Sequence, residues 1–338
     1  MEGQAVNARL TWQREARYLF AESSIAGPLF TLIFVFILFS LFVPHFFSWR
    51  TISGIVNAAT LTGIVTIGVT LLMISGEFDL SVAALIAVGG YLFGQQCARN
   101  SPLLGLALAL LIPGLLGAVN GLSRVRTGIP SFIVTLGTGF IFRGAAWILS
   151  GGSMLQLTDK LPIYDTFIGR FNLLDDLLPG ANFLTSLLWL LGAVLVFQYA
   201  LVRTRYGNHV FAVGGQVEAA TAQGVNVELV KVITFAISGA LAGFAGVLTF
   251  SQFQTMRVAS GSGTELSAIA SAVVGGALLT GGSGSIWGAL IGVLLISMLR
   301  TGVVLLNIPF IPADNFEAIV GVTIVGAAIF NNWVRQRA

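Results

Sequence analysis

The stretch Asp79-Leu-Ser-Val-Ala-Ala-Leu-Ile-Ala-Val-Gly-Gly-Tyr-Leu92 aligns without a gap to Glu265-Leu-Ser-Ala-Ile-Ala-Ser-Ala-Val-Val-Gly-Gly-Ala-Leu278. Both copies read acidic-Leu-Ser, six residues, Val-Gly-Gly, one residue, Leu. They lie 186 residues apart, and weaker similarity follows from Gly105–Ile112 to Gly288–Ile296. Further on, Gly128-Ile-Pro130-Ser-Phe132 echoes Asn307-Ile-Pro309-Phe310. A single match between Gly-rich apolar segments arises easily by chance; three in the same order do not.

Working outward, the whole chain is apolar. Of 338 residues, 56% are hydrophobic and 9% charged, with 17 Lys and Arg against 14 Asp and Glu. A soluble domain carries about 25% charged residues. That composition excludes a soluble enzyme, a disordered chain and a disulfide scaffold, and leaves an integral membrane protein. The 41 glycines suit helices that approach closely in a bilayer. Cys97 has no second cysteine to pair with, and nothing indicates nucleic-acid binding.

Ten apolar stretches predict an all-α membrane fold of about ten spans: Gly27–Val43, Ile52–Ile74, Leu80–Cys97, Leu103–Leu122, Ile129–Leu149, Phe183–Val202, Leu229–Phe250, Leu266–Leu279, Ile286–Leu306 and Phe316–Trp333. Leu266–Leu279 is short for a span, so it is tilted, partly re-entrant or helped by flanking small residues. Ten of the seventeen basic residues (Arg9, Arg14, Arg17, Arg124, Arg126, Arg203, Arg205, Lys231, Arg335 and Arg337) fall on one side, which places both termini in the cytoplasm. The division expected is a cytoplasmic segment 1–26, a membrane domain 27–333 and a tail 334–338. The lead 1–26 is too long and polar for a signal peptide, and Arg9–Phe20 reads as an interfacial helix. Within the membrane domain, an acidic outer loop spans 150–182 and a cytoplasmic loop 203–228.

In this count the matched copies open the third and eighth spans, five crossings apart, and so run in opposite directions. That is an inverted-topology repeat of helices 2–5 (about 52–149) and 7–10 (about 229–333), common among transporters. Each copy starts at a polar break, Ser75-Gly-Glu77-Phe-Asp79 or Gly261-Ser-Gly-Thr-Glu265. Carboxylates beside apolar spans are costly unless they are paired or face water, which makes Glu77, Asp79 and Glu265 candidates for a solute pathway. Asp79 and Glu265 also precede helices, where carboxylates cap free N–H groups; both readings stand.

No phosphate loop is present, and neither lysine, Lys160 nor Lys231, follows a glycine. The chain also lacks the histidine and serine motifs of membrane enzymes. His45 and His209 read as solvated, with no partner for a metal site. The expectation is therefore no catalytic residue, no metal and no cofactor on this chain. In the cytoplasmic loop, Gly214-Gly215 reads as a turn, Glu218–Gln223 as a short Ala-rich helix and Gly224 as its stop.

Glu218-Ala219-Ala220-x3-Gly224 resembles the Glu-Ala-Ala loop with which permease subunits of bacterial ATP-binding-cassette (ABC) importers grip their ATPases. Ser75-Gly-Glu-Phe-Asp79-Leu-Ser-Val82 is similar to the Gly-x-x-Asp-Leu-Ser-Val pattern of ribose-type permeases, within the branched-chain amino acid/ribose permease superfamily. Thr127-Gly-Ile-Pro130-Ser-Phe-Ile-Val-Thr135-Leu-Gly-Thr138, Gly281-Gly-Ser-Gly284-Ser-Ile286 and Leu306-Asn-Ile-Pro309 resemble the same group. The resemblance implies half of a translocation pathway, paired with a second permease subunit as a homo- or heterodimer in a bacterial inner membrane. It also implies a cytoplasmic ATPase carrying the ATP and magnesium, and a periplasmic solute-binding protein, for which the loop 150–182 is a candidate docking surface. Glu218, Ala219, Ala220 and Gly224 would couple to that ATPase. The solute expected is a monosaccharide or a related neutral molecule. The rivals are the same machine for a nucleoside or branched-chain amino acid, and a channel or secondary carrier acting alone.

Overall fold

A computed structural model describes residues 25–171, 177–306, 321–322 and 325–326. The chain order is α1 (Ala26–Phe42), α2 (Trp49–Ile74), α3 (Val82–Ala98), α4 (Pro102–Thr127), α5 (Ser131–Ser150), β1 (Leu155–Gln156), α6 (Pro162–Ile168), α7 (Ser186–Arg203), α8 (Arg205–Gly215), α9 (Val217–Ala222), α10 (Val227–Phe253), β2 (Thr255–Met256), α11 (Thr264–Val274) and α12 (Ile286–Leu306). Helices therefore occupy the first nine apolar stretches. The tenth, Phe316–Trp333, falls almost wholly outside the described residues, as do Arg9–Phe20 and the tail 334–338.

Among the described residues, α2, α4, α5, α7, α10 and α12 are long and apolar enough to cross a membrane. The ends of these helices follow ordinary capping chemistry. Ser48 Oγ accepts from Thr51 N–H at the start of α2, and Asn226 Oδ1 from Leu229 N–H at the start of α10. Pro102 opens α4, and Gly128 closes it in the left-handed conformation.

Helices α2, α3, α4 and α10 form the centre. Small residues set their separation: a Cβ at Gly89 on α3 would lie 2.6 Å from Gly243 Cα on α10, closer than atoms pack. Phe93, Tyr164, Phe167 and Phe250 close one end of the bundle, with ring centroids 5.9–6.3 Å apart in edge-to-face pairs. They pin α6, which lies within the loop 150–182, onto α3 and α10. A two-stranded antiparallel ribbon joins the same loop to the end of α10, with Leu155 opposite Met256.

The short eighth stretch has a structural reason. At the end of β2, Met256 packs beside Gly90 of α3, and five residues later Gly261 packs against Ala83 and Ile86 in the first turns of that helix. The chain has thus descended along about seven residues of α3, roughly 10 Å, before α11 begins. With 11 residues, α11 is a half-length helix that starts inside the bundle. It ends at Val274 rather than running on to Leu279. The two copies of the matched frame differ here: Gly89 and Gly90 lie inside α3, whereas Gly275 and Gly276 terminate α11.

Candidate functional site

The break between α2 and α3 is built from its first glycine. Gly76, at φ 80°, ends α2 in a Schellman turn: its N–H donates to Met73 O and that of Glu77 to Leu72 O, both at 2.9 Å. A residue with a Cβ is strained in this conformation. The turn sends the Glu77 side chain inward, where it is 2% exposed. Lys231 Nζ, from the first turns of α10, donates to Glu77 Oε1. Arg124 Nε, near the end of α4, lies 3.1 Å from both carboxylate oxygens. One carboxylate thus holds two cations from two helices. The sequence reading counted Lys231 only toward the charge bias that sets orientation; in the structure it is 8% exposed and paired.

Two residues on, Asp79 is fully buried. Its Oδ1 accepts from Ser81 N–H (2.8 Å) and from Ser81 Oγ (2.6 Å), a local turn that starts α3. Asn120 Nδ2 on α4 donates to Ser81 Oγ at 2.8 Å. Asp79 Oδ2 is buried without a partner among the described residues. The backbone of the break is tied to α5: Phe78 N–H donates to Ser131 Oγ and Leu80 N–H to Thr135 Oγ1, both at 3.0 Å.

Glu265 sits in the first turn of α11, partly buried, and forms no capping bond. Its Oε2 is buried and has no partner among the described residues. The preceding segment brings Gly261 against the start of α3: a Cβ there would stand 2.8 Å from Ala83 O. The two breaks, remote in sequence, are therefore neighbours inside the bundle.

The loop 203–228 is more ordered than the sequence suggested. Gly214-Gly215 is the last turn of helix α8, and no free-standing turn forms there. Tyr206, Val210 and Val213 give that helix a face packed on the bundle, and Tyr206 Oη lies 2.8 Å from Thr234 Oγ1 on α10. Burial raises the Tyr206 pKa, so its hydroxyl stays protonated at neutral pH. Gly214 touches backbone from two sides: a Cβ there would lie 1.7 Å from Ile74 O and 2.7 Å from Gly282 N. Gly282 N–H itself donates to Ile74 O at 2.9 Å. The end of α8 is thereby locked to the break after α2 and to the loop after α11.

Helix α9 follows. Ala220 is buried, Glu218 and Ala219 are exposed, and Gly224 at φ 79° ends the turn with open space around it. Beside α9 lies a cavity of about 530 Å³. Val217 and Thr221 line it from α9, and Arg124 and Lys231 from the bundle. Lys231, Arg124, Asn120 and Gly214 were missed from the sequence. The only signal for Lys231 was a lysine two residues inside an apolar stretch.

Among the described residues the chain is a bundle of apolar helices, six of them long and apolar enough to cross a membrane, with the half-length α11 starting inside it. Residues 51–328 match the family model described as branched-chain amino acid transport system / permease component, and the chain belongs to that family. Among curated relatives, it is 35% identical to the L-arabinose ABC transporter permease protein AraH of Azospirillum brasilense, over 84% of this chain and 81% of that protein. It is 29% identical to the ribose import permease protein RbsC of Escherichia coli strain K12, over 89% and 91% respectively. The Haemophilus influenzae protein of the same name is 32% identical, over 82% and 84%. No solved structure matches the chain.

Proposed function

We propose that this chain is the membrane subunit of an ATP-driven importer for a monosaccharide, and that it forms half of the translocation pathway. The observation that carries this is the extent of the likeness: relatives named for arabinose and ribose transport align over more than four fifths of both chains. ATP is bound and hydrolysed on a separate cytoplasmic subunit, a binding protein delivers solute from the periplasm, and a second permease subunit completes the path. Both termini face the cytoplasm.

The site geometry fits this division of labour. Asp79 and Glu265 mark the two breaks that flank the pathway, in halves related by an inverted repeat. Exposed Glu218 and Ala219, with the turn at Gly224, form the ATPase contact. The path needs no charge of its own, which suits a neutral solute. The family description also names branched-chain amino acids. A complex of this chain with its ATP-binding subunit and binding protein, reconstituted in liposomes, separates the readings. ATP-dependent uptake of L-arabinose or D-ribose supports the monosaccharide assignment. Uptake of leucine or a nucleoside without either sugar refutes it.

A further inference from the structure

We infer that Glu77 is a positioning residue for transport: its two-cation ion pair ties the pathway break to the cavity beside the coupling helix, so that docking and opening are one event. The inference rests on the importer reading above. Glu77 belongs to the break, its backbone fixed one residue after Gly76 and two before Asp79. Its partners belong elsewhere, Arg124 to the end of α4 and Lys231 to the start of α10. Both partners also line the cavity that α9 covers with Val217 and Thr221. Whatever fills or reshapes that cavity therefore touches the two side chains that hold Glu77.

Physical chemistry makes the link obligatory. A buried carboxylate that loses its cations is left uncompensated, which is strongly unfavourable. If Arg124 and Lys231 are drawn toward the cavity, Glu77 must follow them or reach water, and either course moves the break. The geometry of Arg124 is suited to this: only Nε engages Glu77, and the fork of Nη groups has no partner among the described residues. Lys231 is the buried anchor, and Arg124, 26% exposed, is the side open to the cavity.

The test uses the complete complex in nanodiscs, with Cys97→Ser and a reporter cysteine at Ser75, which is buried in the break. Labelling by a bulky polar maleimide is compared without nucleotide and after trapping with ATP and vanadate. With native Glu77 the two rates should differ at least tenfold. Glu77→Gln should bring the ratio close to one while the ATP-binding subunit still copurifies. Arg124→Lys, which keeps the charge, should give an intermediate ratio, and the exchange Glu77→Lys with Lys231→Glu should restore part of it. A residue that merely supports the fold would change yield or both rates together and leave the ratio intact. A full tenfold ratio in Glu77→Gln overturns the inference, as does failure of all three variants to assemble, which would mark a purely architectural role. If the native complex itself shows no nucleotide response, the importer reading falls and this inference with it.

Discussion

Replacing Gly214 by Ala tests whether helix α8 is locked to the break after α2 and the loop after α11. The added Cβ would stand 1.7 Å from Ile74 O, whereas Cβ atoms essentially never come closer than 3.0 Å to another heavy atom. Both neighbours are backbone, so no side chain can swing aside; the end of α8 must withdraw by more than an ångström. Overpacking of this kind costs about 1–3 kcal/mol. Loss of the Gly282 N–H bond to Ile74 O adds about 1 kcal/mol. The better helix propensity of Ala offsets at most about 1 kcal/mol, which leaves a net loss of roughly 1–3 kcal/mol. Gly215 is the control, because a Cβ there meets nothing within 4 Å. Thermal unfolding of the purified chain should show Gly214→Ala melting below wild type and Gly215→Ala unchanged or higher. In the reconstituted complex, Gly214→Ala should lose most ATP-driven uptake while ATP hydrolysis continues. Equal melting and equal uptake for the two variants would refute the lock.

Ser81→Ala removes the hydroxyl donor to Asp79 and the acceptor for Asn120 but keeps the backbone N–H bond, and should lower stability by about 1–3 kcal/mol in an unfolding assay. Asp79→Asn keeps an oxygen for Ser81, so it should fold near normally while uptake falls; wild-type uptake would confine the carboxylate to a structural role. Gly224→Val forces a β-branched residue to φ 79°, at about 1–3 kcal/mol of local strain, and should detach the ATP-binding subunit in copurification without unfolding the bundle. Phe93→Ala empties the centre of the aromatic cluster and should cost about 3–5 kcal/mol, seen as earlier unfolding and faster proteolysis of the loop 150–182.

Most helices were legible because lipid demands long apolar runs, and Ile52–Ile74 or Ile286–Leu306 needs no partner to be recognised. Depth was not legible. Hydropathy marks Leu266–Leu279 as apolar, but only packing of Gly261 on Ala83 reveals that the chain has already re-entered the bundle. Helix α8 was read as loop because its composition is mixed; the spacing of Tyr206, Val210 and Val213 along one helical face was the available signal. The breaks themselves stood out through their glycines and carboxylates. Their partners did not, since Glu77 and Lys231 are 154 residues apart and one sequence holds no record of that contact.

The most direct measurement of the central claim is solute accumulation in liposomes, with and without the ATP-binding subunit. The account predicts that vesicles holding this chain alone accumulate no L-arabinose or D-ribose under any ion gradient. Vesicles holding the full complex with binding protein outside and ATP inside should concentrate one of the two sugars. Gradient-driven accumulation by the chain alone would contradict it.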